Sequence, residues 1–260
     1  MPRPRWLGGL AGVVLIIALW TVLALTVFRS SGAVPTPLAV LRQYGADGVE
    51  FYWRNTSITL SGALLGFLWG NGLAIGIALL VLLLPRLEGV ASQIAVISYC
   101  IPLTAIGPVI LVVQGGRAPT VFLAGMSVFF TTLVGALLGL KAADQTSLDL
   151  VRAYGGGRWK QLTKVRIMAA LPATSGGLQI AAPTALLGAI LGEYLGGVDN
   201  GIGVALTASQ QSYAVARTWG LALACGLVAG VGYLAIGVLG RLLTPWAGGS
   251  RTMLAQGGAA

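Results

Sequence analysis

Glu193 is the only acidic side chain set well inside an apolar run of this 260-residue chain. A carboxylate there can serve a cargo, a proton or a gate, or it can simply accept hydrogen bonds from a neighbouring helix or loop. Both uses are open on sequence alone. Pro102, Pro108 and Pro183 interrupt other apolar runs. A missing N–H frees a carbonyl that can line a path, or it only kinks a helix for packing. Tyr99, Tyr194, Asn71, Gln93 and Gln179 are polar candidates for the same lumen. Interhelical hydrogen bonds are the default use of such amides, and the tyrosines can equally fill space. Other chemistry is excluded. The chain has no His, and its two cysteines, Cys100 and Cys225, both fall in apolar runs. A metal site of the His/Cys kind, a disulfide framework and a His-dependent hydrolytic triad are therefore not expected. No Gly-x-x-x-x-Gly-Lys-Ser/Thr loop occurs, so the chain is expected to hydrolyse no ATP itself and to need no cofactor.

The elements that must position these residues are membrane helices. Hydrophobic residues make up 56% of the chain and charged residues 9%, too few to coat a soluble body of this size. Glycine, at 39 residues, has about twice its usual share. Six charge-poor stretches are long enough to cross roughly 30 Å of hydrocarbon as helices. They cover residues 7–28, 57–84, 89–113, 119–140, 174–197 and 218–243. The first is longer than a signal-peptide core, so it is expected to be retained. Small residues recur at four-residue spacing, as in Gly62-Gly66-Gly70, Gly135-Gly139, Gly188-Gly192-Gly196 and Gly226-Gly230, and predict close helix packing.

The net charge of +9 does not point to nucleic acid, because the basic residues sit at the ends of apolar runs. With the N-terminus inside, Arg3, Arg5, Arg86, Lys141, Arg152, Arg158, Lys160, Lys164, Arg166, Arg241 and Arg251 are cytoplasmic. Arg29, Arg42, Arg54, Arg117 and Arg217 are then external. That asymmetry predicts cytoplasmic N- and C-termini. The polar stretches 29–55 and 198–217 become external connections, and 141–172 becomes a cytoplasmic loop.

That loop is too long to be a mere connection. Thr146-Ser147-Leu148-Asp149 has the form of a capping box and predicts a short helix running to Tyr154. Gly155-Gly156-Gly157 predicts a turn. A second helix is expected over 158–171, stopped by Pro172, with an apolar stripe of Trp159, Leu162, Val165 and Met168 and with Lys160 and Lys164 on another face. Two amphipathic helices around a glycine turn suit either anionic headgroups or a protein partner.

The segment from Asp149 to Pro172 resembles the "EAA" loop of binding-protein-dependent ABC importer permeases. Asp149 falls at the Glu of that pattern, Gly155 at its Gly and Val165 at its Ile, while Leu150 and Val151 stand at its two alanines. Arg152, Arg158, Trp159 and the closing Ala169-Ala170-Leu171-Pro172 are similar to the sulfonate/nitrate/taurine/bicarbonate branch, as are Ile101-Pro102-Leu103 with Pro108, and Gly192-Glu193-Tyr194-Leu195-Gly196 followed by Gly201-Ile202-Gly203.

The resemblance implies an all-α polytopic membrane protein of the type I ABC importer permease fold, with six transmembrane helices and a cytoplasmic coupling-helix loop. It would be a single transmembrane domain in a bacterial inner membrane, built around the path of a small solute. Its implied partners are two cytoplasmic ABC ATPase subunits, an extracytoplasmic solute-binding protein and a second permease copy, most simply as a homodimer. Asp149, Arg152, Ala153, Tyr154, Gly155, Gly156, Arg158 and Trp159 are the residues implied in ATPase coupling. Glu193, Tyr194, Pro102, Tyr99 and Gln179 are the candidates for the path or its gate. Rival expectations are a proton-coupled transporter using Glu193 and a non-transporting membrane scaffold.

Overall fold

The computed structural model describes residues 5–248, so Arg3, Arg251 and both chain ends lie outside the described residues. Helices and short connections account for all of it, with no strand among the described residues. Five helices are long and apolar enough to cross a membrane, or six if one sharply bent pair counts as a span.

The first helix, α1 (Arg5–Leu25), carries exposed Leu15 and Ile16 along its length. It is anchored near its end, where the Trp20 indole donates to the Pro35 carbonyl at 3.0 Å and stacks on Trp219 at 5.5 Å. Helix α2 (Pro37–Leu83) begins far earlier than the stretch 57–84 suggested. Thr36 caps it by accepting from the Ala39 N–H, and Pro37 supplies the preset φ of a first helical residue. The stretch 29–55, expected as an external connection, is thus mostly helix, kinked at Gly48 (φ 77°, ψ 161°). Its polar side chains find partners sideways instead of in water. The Asp47 side chain is almost fully buried, forms an ion pair with Arg217, and accepts from Gln43 and Tyr52 at 2.8 and 3.2 Å. The Tyr44 hydroxyl donates to the Gly220 carbonyl at 2.5 Å.

The span expected over 89–113 is not one straight helix. It consists of α3 (Glu88–Cys100) and α4 (Leu103–Gln114), bent by 89°. Pro102 has no N–H to offer and forces Ile101 out of the helical region (φ −72°, ψ 120°). Pro108, by contrast, sits inside α4 without ending it.

Helix α5 (Ala118–Lys141) is the centre of the bundle and packs most extensively on α8 and α2. The small-residue faces explain how. A methyl group added to Gly66 of α2 would sit 2.8 Å from the Gly125 nitrogen of α5, and one added to Gly188 of α8 would sit 2.6 Å from the Leu123 carbonyl oxygen. Backbones this close gain dispersion contacts that lipid cannot offer. Gly226 and Gly230 depart from the expectation, since nothing lies within 4 Å of a methyl at either.

After α5 come the short α6 (Gln145–Ala153) and α7 (Arg158–Gln161), a π-helical turn (Leu162–Arg166) and α8 (Ile167–Tyr194). The expected stop at Pro172 does not occur, and the helical run is continuous from Arg158 to Tyr194. An interior proline removes one hydrogen bond and bends a helix, and packing on a neighbour can hold the remainder in place. Gly139 of α5 supplies that neighbour, because a methyl there would lie 3.1 Å from the Ala170 carbonyl oxygen. Helices α9 (Ile202–Gln211) and α10 (Val215–Leu243) complete the chain.

Candidate functional site

Two constellations stand out, one at each end of α8. At its start lies α6, a nine-residue helix capped at both ends. The N-cap is Asp144, not the predicted Thr146. Its carboxylate accepts from the Ser147 N–H at 3.0 Å, so the helix starts at Gln145 and Thr146 lies within its first turn rather than capping it. These bonds hold the Asp144 carboxyl below the usual carboxylate range, the Ser147 backbone bond contributing most. At the other end Gly155 takes φ +72°, the Gly155 N–H donates to the Arg152 carbonyl and the Gly156 N–H to the Val151 carbonyl. This is a Schellman ending, which favours glycine at the left-handed position.

Leu148 is buried under α6, where its carbonyl accepts from the buried Gln161 amide at 3.4 Å. Leu150, on the opposite side of α6, and Tyr154 at its C-cap are 59% and 84% exposed, and Trp159, past the glycine turn in α7, is 65% exposed. Asp149 and Arg152 form a solvent-facing ion pair at 3.0 Å, an arrangement that adds little to stability. Ala153 and Arg158 are exposed as well, and Gly156 is buried. The predicted stripe of Trp159, Leu162, Val165 and Met168 does not form one buried face. Leu162 is buried while Trp159 and Met168 are exposed, since a strict three-residue spacing drifts around the helix, and the π-helical turn Leu162–Arg166 shifts the register further before Met168.

At the far end of α8, Glu193 is buried at 2% exposure. Its Oε2 accepts from the Gly203 N–H at 2.7 Å and the Thr59 hydroxyl at 3.0 Å, and its Oε1 is buried without a partner among the described residues. The Thr59 hydroxyl oxygen also accepts from the Ile202 N–H at 2.8 Å, and Asn55 accepts from the Gly201 N–H at 3.0 Å. Three side chains from α2 and α8 therefore satisfy the first N–H groups of α9, which no helix can satisfy within itself. A methyl on Gly201 would lie 2.6 Å from Glu193 Oε1, so only glycine lets the chain pass the carboxylate so closely.

The other predicted path residues are dispersed. Gln179 faces α10, its side-chain carbonyl carbon lying 2.9 Å from where a Gly237 methyl would be. Tyr99 is exposed and stacks on Phe130 of α5 at 4.5 Å, Pro102 occupies the exposed bend between α3 and α4, and Tyr194 is exposed at the end of α8. None of the three shares hydrogen bonds with the Glu193 cluster. Sequence reasoning missed Asn55 and Thr59, although their four-residue spacing puts them on one face of α2. It also missed Asp144, whose position just ahead of a polar helical segment was a usable signal.

The sequence pattern of the binding-protein-dependent transport system inner membrane component family matches residues 62–248, most of the chain and nearly all of both constellations. The chain belongs to that family. It is 34% identical to a probable ABC transporter permease protein of Haemophilus influenzae, across 72% of this chain and 76% of that protein. It is 25% identical to a riboflavin transport system permease protein of Chloroflexus aurantiacus, covering 87% and 88%, and to a putative aliphatic sulfonates transport permease protein of Bacillus subtilis, covering 80% and 76%. This is an ABC importer permease, a multi-pass inner membrane protein. The family match takes in α6, its glycine ending, Glu193 and Gly201–Gly203, and leaves out Asn55 and Thr59.

Proposed function

We propose that this permease forms the path for a small solute and couples it to two cytoplasmic ATPase subunits, working as a pair of identical copies with an extracytoplasmic solute-binding protein on the far side. Both chain ends would then be cytoplasmic, as would α6, in accord with the distribution of basic residues. The observation that carries the reading is the build of α6. A short helix capped at both ends is a stiff body, and Leu150 and Tyr154, four residues apart, give it an uncovered apolar face able to enter a partner's groove. Gln161 ties it to the start of the helical run Arg158–Tyr194, on which Glu193 lies about 48 Å further along at 1.5 Å per residue.

On this reading Asp149, Arg152, Ala153, Tyr154, Gly155, Gly156, Arg158 and Trp159 form the coupling segment. ATP-driven closure of the partner subunits pushes α6, the long helix passes the displacement on, and the bundle switches between two packings. Glu193 positions α9 at the outer gate, and Tyr194, Pro102, Tyr99 and Gln179, spread over the bundle, contribute to the wall of the path at separate points. Co-purification tests the docking. The native chain is expected to retain a nucleotide-binding subunit through purification, and Gly155→Pro to lose it, since proline cannot adopt φ +72°. Undiminished retention by Gly155→Pro refutes docking through α6.

A further inference from the structure

A cavity of about 400 Å³ lies where the end of α2 meets the α6–α7 connection. Arg152, Arg158 and Arg166 border it together with Leu82, Leu83 and Pro85. Arg152 is engaged by Asp149, but among the described residues Arg158 and Arg166 have neither an ion pair nor a hydrogen bond. Arg166 is half-buried, and it also borders a smaller cavity of about 70 Å³ that contains Glu88. That carboxylate is already taken by Lys141 at 2.5 Å. A guanidinium offers five donors and accepts nothing, so a half-buried one without a protein acceptor calls for one from outside.

We propose that this cavity holds the headgroup phosphate of an anionic phospholipid. A guanidinium fork pairs with two oxygens at once, and a phosphate has enough oxygens to engage both Arg158 and Arg166, whereas a lone carboxylate has only two and a neutral solute carries no charge. The depth fits as well. Leu82 and Leu83 are the last residues of an apolar spanning helix, and Pro85 opens the turn that follows, so the arginines sit where hydrocarbon gives way to headgroups. Trp159 also lines the cavity and is largely exposed, as suits an indole at that boundary. The apolar wall favours a lipid over a free phosphate, because a soluble anion has no acyl chain to lay against Leu82 and Leu83. Occupancy would stiffen the joint between α6 and the long helix, since Arg152 and Arg158 stand on either side of the glycine turn. The proposal needs only membrane insertion, so a failure of ATPase coupling leaves it standing.

The test uses the full chain in nanodiscs of mixed phosphatidylcholine and phosphatidylglycerol, with native mass spectrometry to read the lipids retained. The native chain is expected to keep phosphatidylglycerol in preference to phosphatidylcholine. The double variant Arg158→Gln with Arg166→Gln is expected to lose about tenfold or more of it, as removal of two charge-assisted phosphate contacts implies. Lys164→Gln, which does not line the cavity, is expected to keep it. Arg158 is exposed, so Arg158→Gln alone preserves the fold and is expected to lower retention severalfold. Equal retention in either arginine variant overturns the proposal. Displacement of the lipid by inorganic phosphate overturns it too, in favour of a soluble anion, and no preference between the two lipids in the native chain leaves the arginines to an acidic protein partner.

Discussion

At the residue scale, the Glu193 carboxylate tethers the start of α9 to α8 and, through Thr59, to α2. Glu193→Ala would orphan the buried Gly203 N–H, at a cost of roughly 1–3 kcal/mol. It is expected to lower the melting temperature and to speed amide exchange at Gly203. Glu193→Gln keeps an oxygen for that N–H, so the complex is expected to assemble while transport falls, and a failure to insert would mean that the charge itself is needed for folding. Asp144 gives a second residue-level expectation. Its carboxyl is held below the ordinary range by the Ser147 N–H, so its support of α6 is complete above the usual carboxylate pKa and is lost as the pH falls through the lowered value. Protection of the Ser147 amide from exchange should therefore drop in acid, and Asp144→Asn, still a good cap, should show no such drop.

Among the elements, the three-helix contact of α2, α5 and α8 depends on missing side chains. Gly188→Ala would set a methyl 2.6 Å from the Leu123 carbonyl oxygen and 2.8 Å from the Ala124 Cα, overpacking that costs about 1–3 kcal/mol. Gly226→Ala meets nothing within 4 Å and should be neutral or slightly stabilising. Thermal melts of the two variants side by side check the contrast. Four-residue glycine spacing could not tell these cases apart, because spacing marks a face without saying what covers it. The long apolar elements were legible for the same reason that they exist, since a backbone in lipid must bond to itself. Pro102 was visible as an interruption, but a bend of 89° depends on what α3 and α4 pack against. Pro172 shows the opposite failure, a breaker overruled by the contact of Ala170 with Gly139. The helical first part of α2 was hidden because its polar residues look like a loop until Arg217, far away in sequence, is placed beside Asp47.

For the whole molecule, the feature that joins the two constellations is the unbroken helical run from Arg158 to Tyr194. Sequence motifs located both ends of it, at Gly155 and at Glu193, but the expected stop at Pro172 hid the connection between them. Through Gln161 that run ties α6 to the clasp on α9, which is why a push at one end is proposed to be felt at the other. The most direct measurement is ATP hydrolysis by the reconstituted form of the proposed complex, two permease copies with two ATPase subunits and the solute-loaded binding protein. Addition of the loaded binding protein is expected to raise hydrolysis in the native complex. Gly155→Asn, which tolerates the left-handed backbone, should keep that stimulation, and Gly155→Pro should abolish it while the ATPase subunits alone retain their basal rate. Full stimulation in a complex carrying Gly155→Pro would contradict the account.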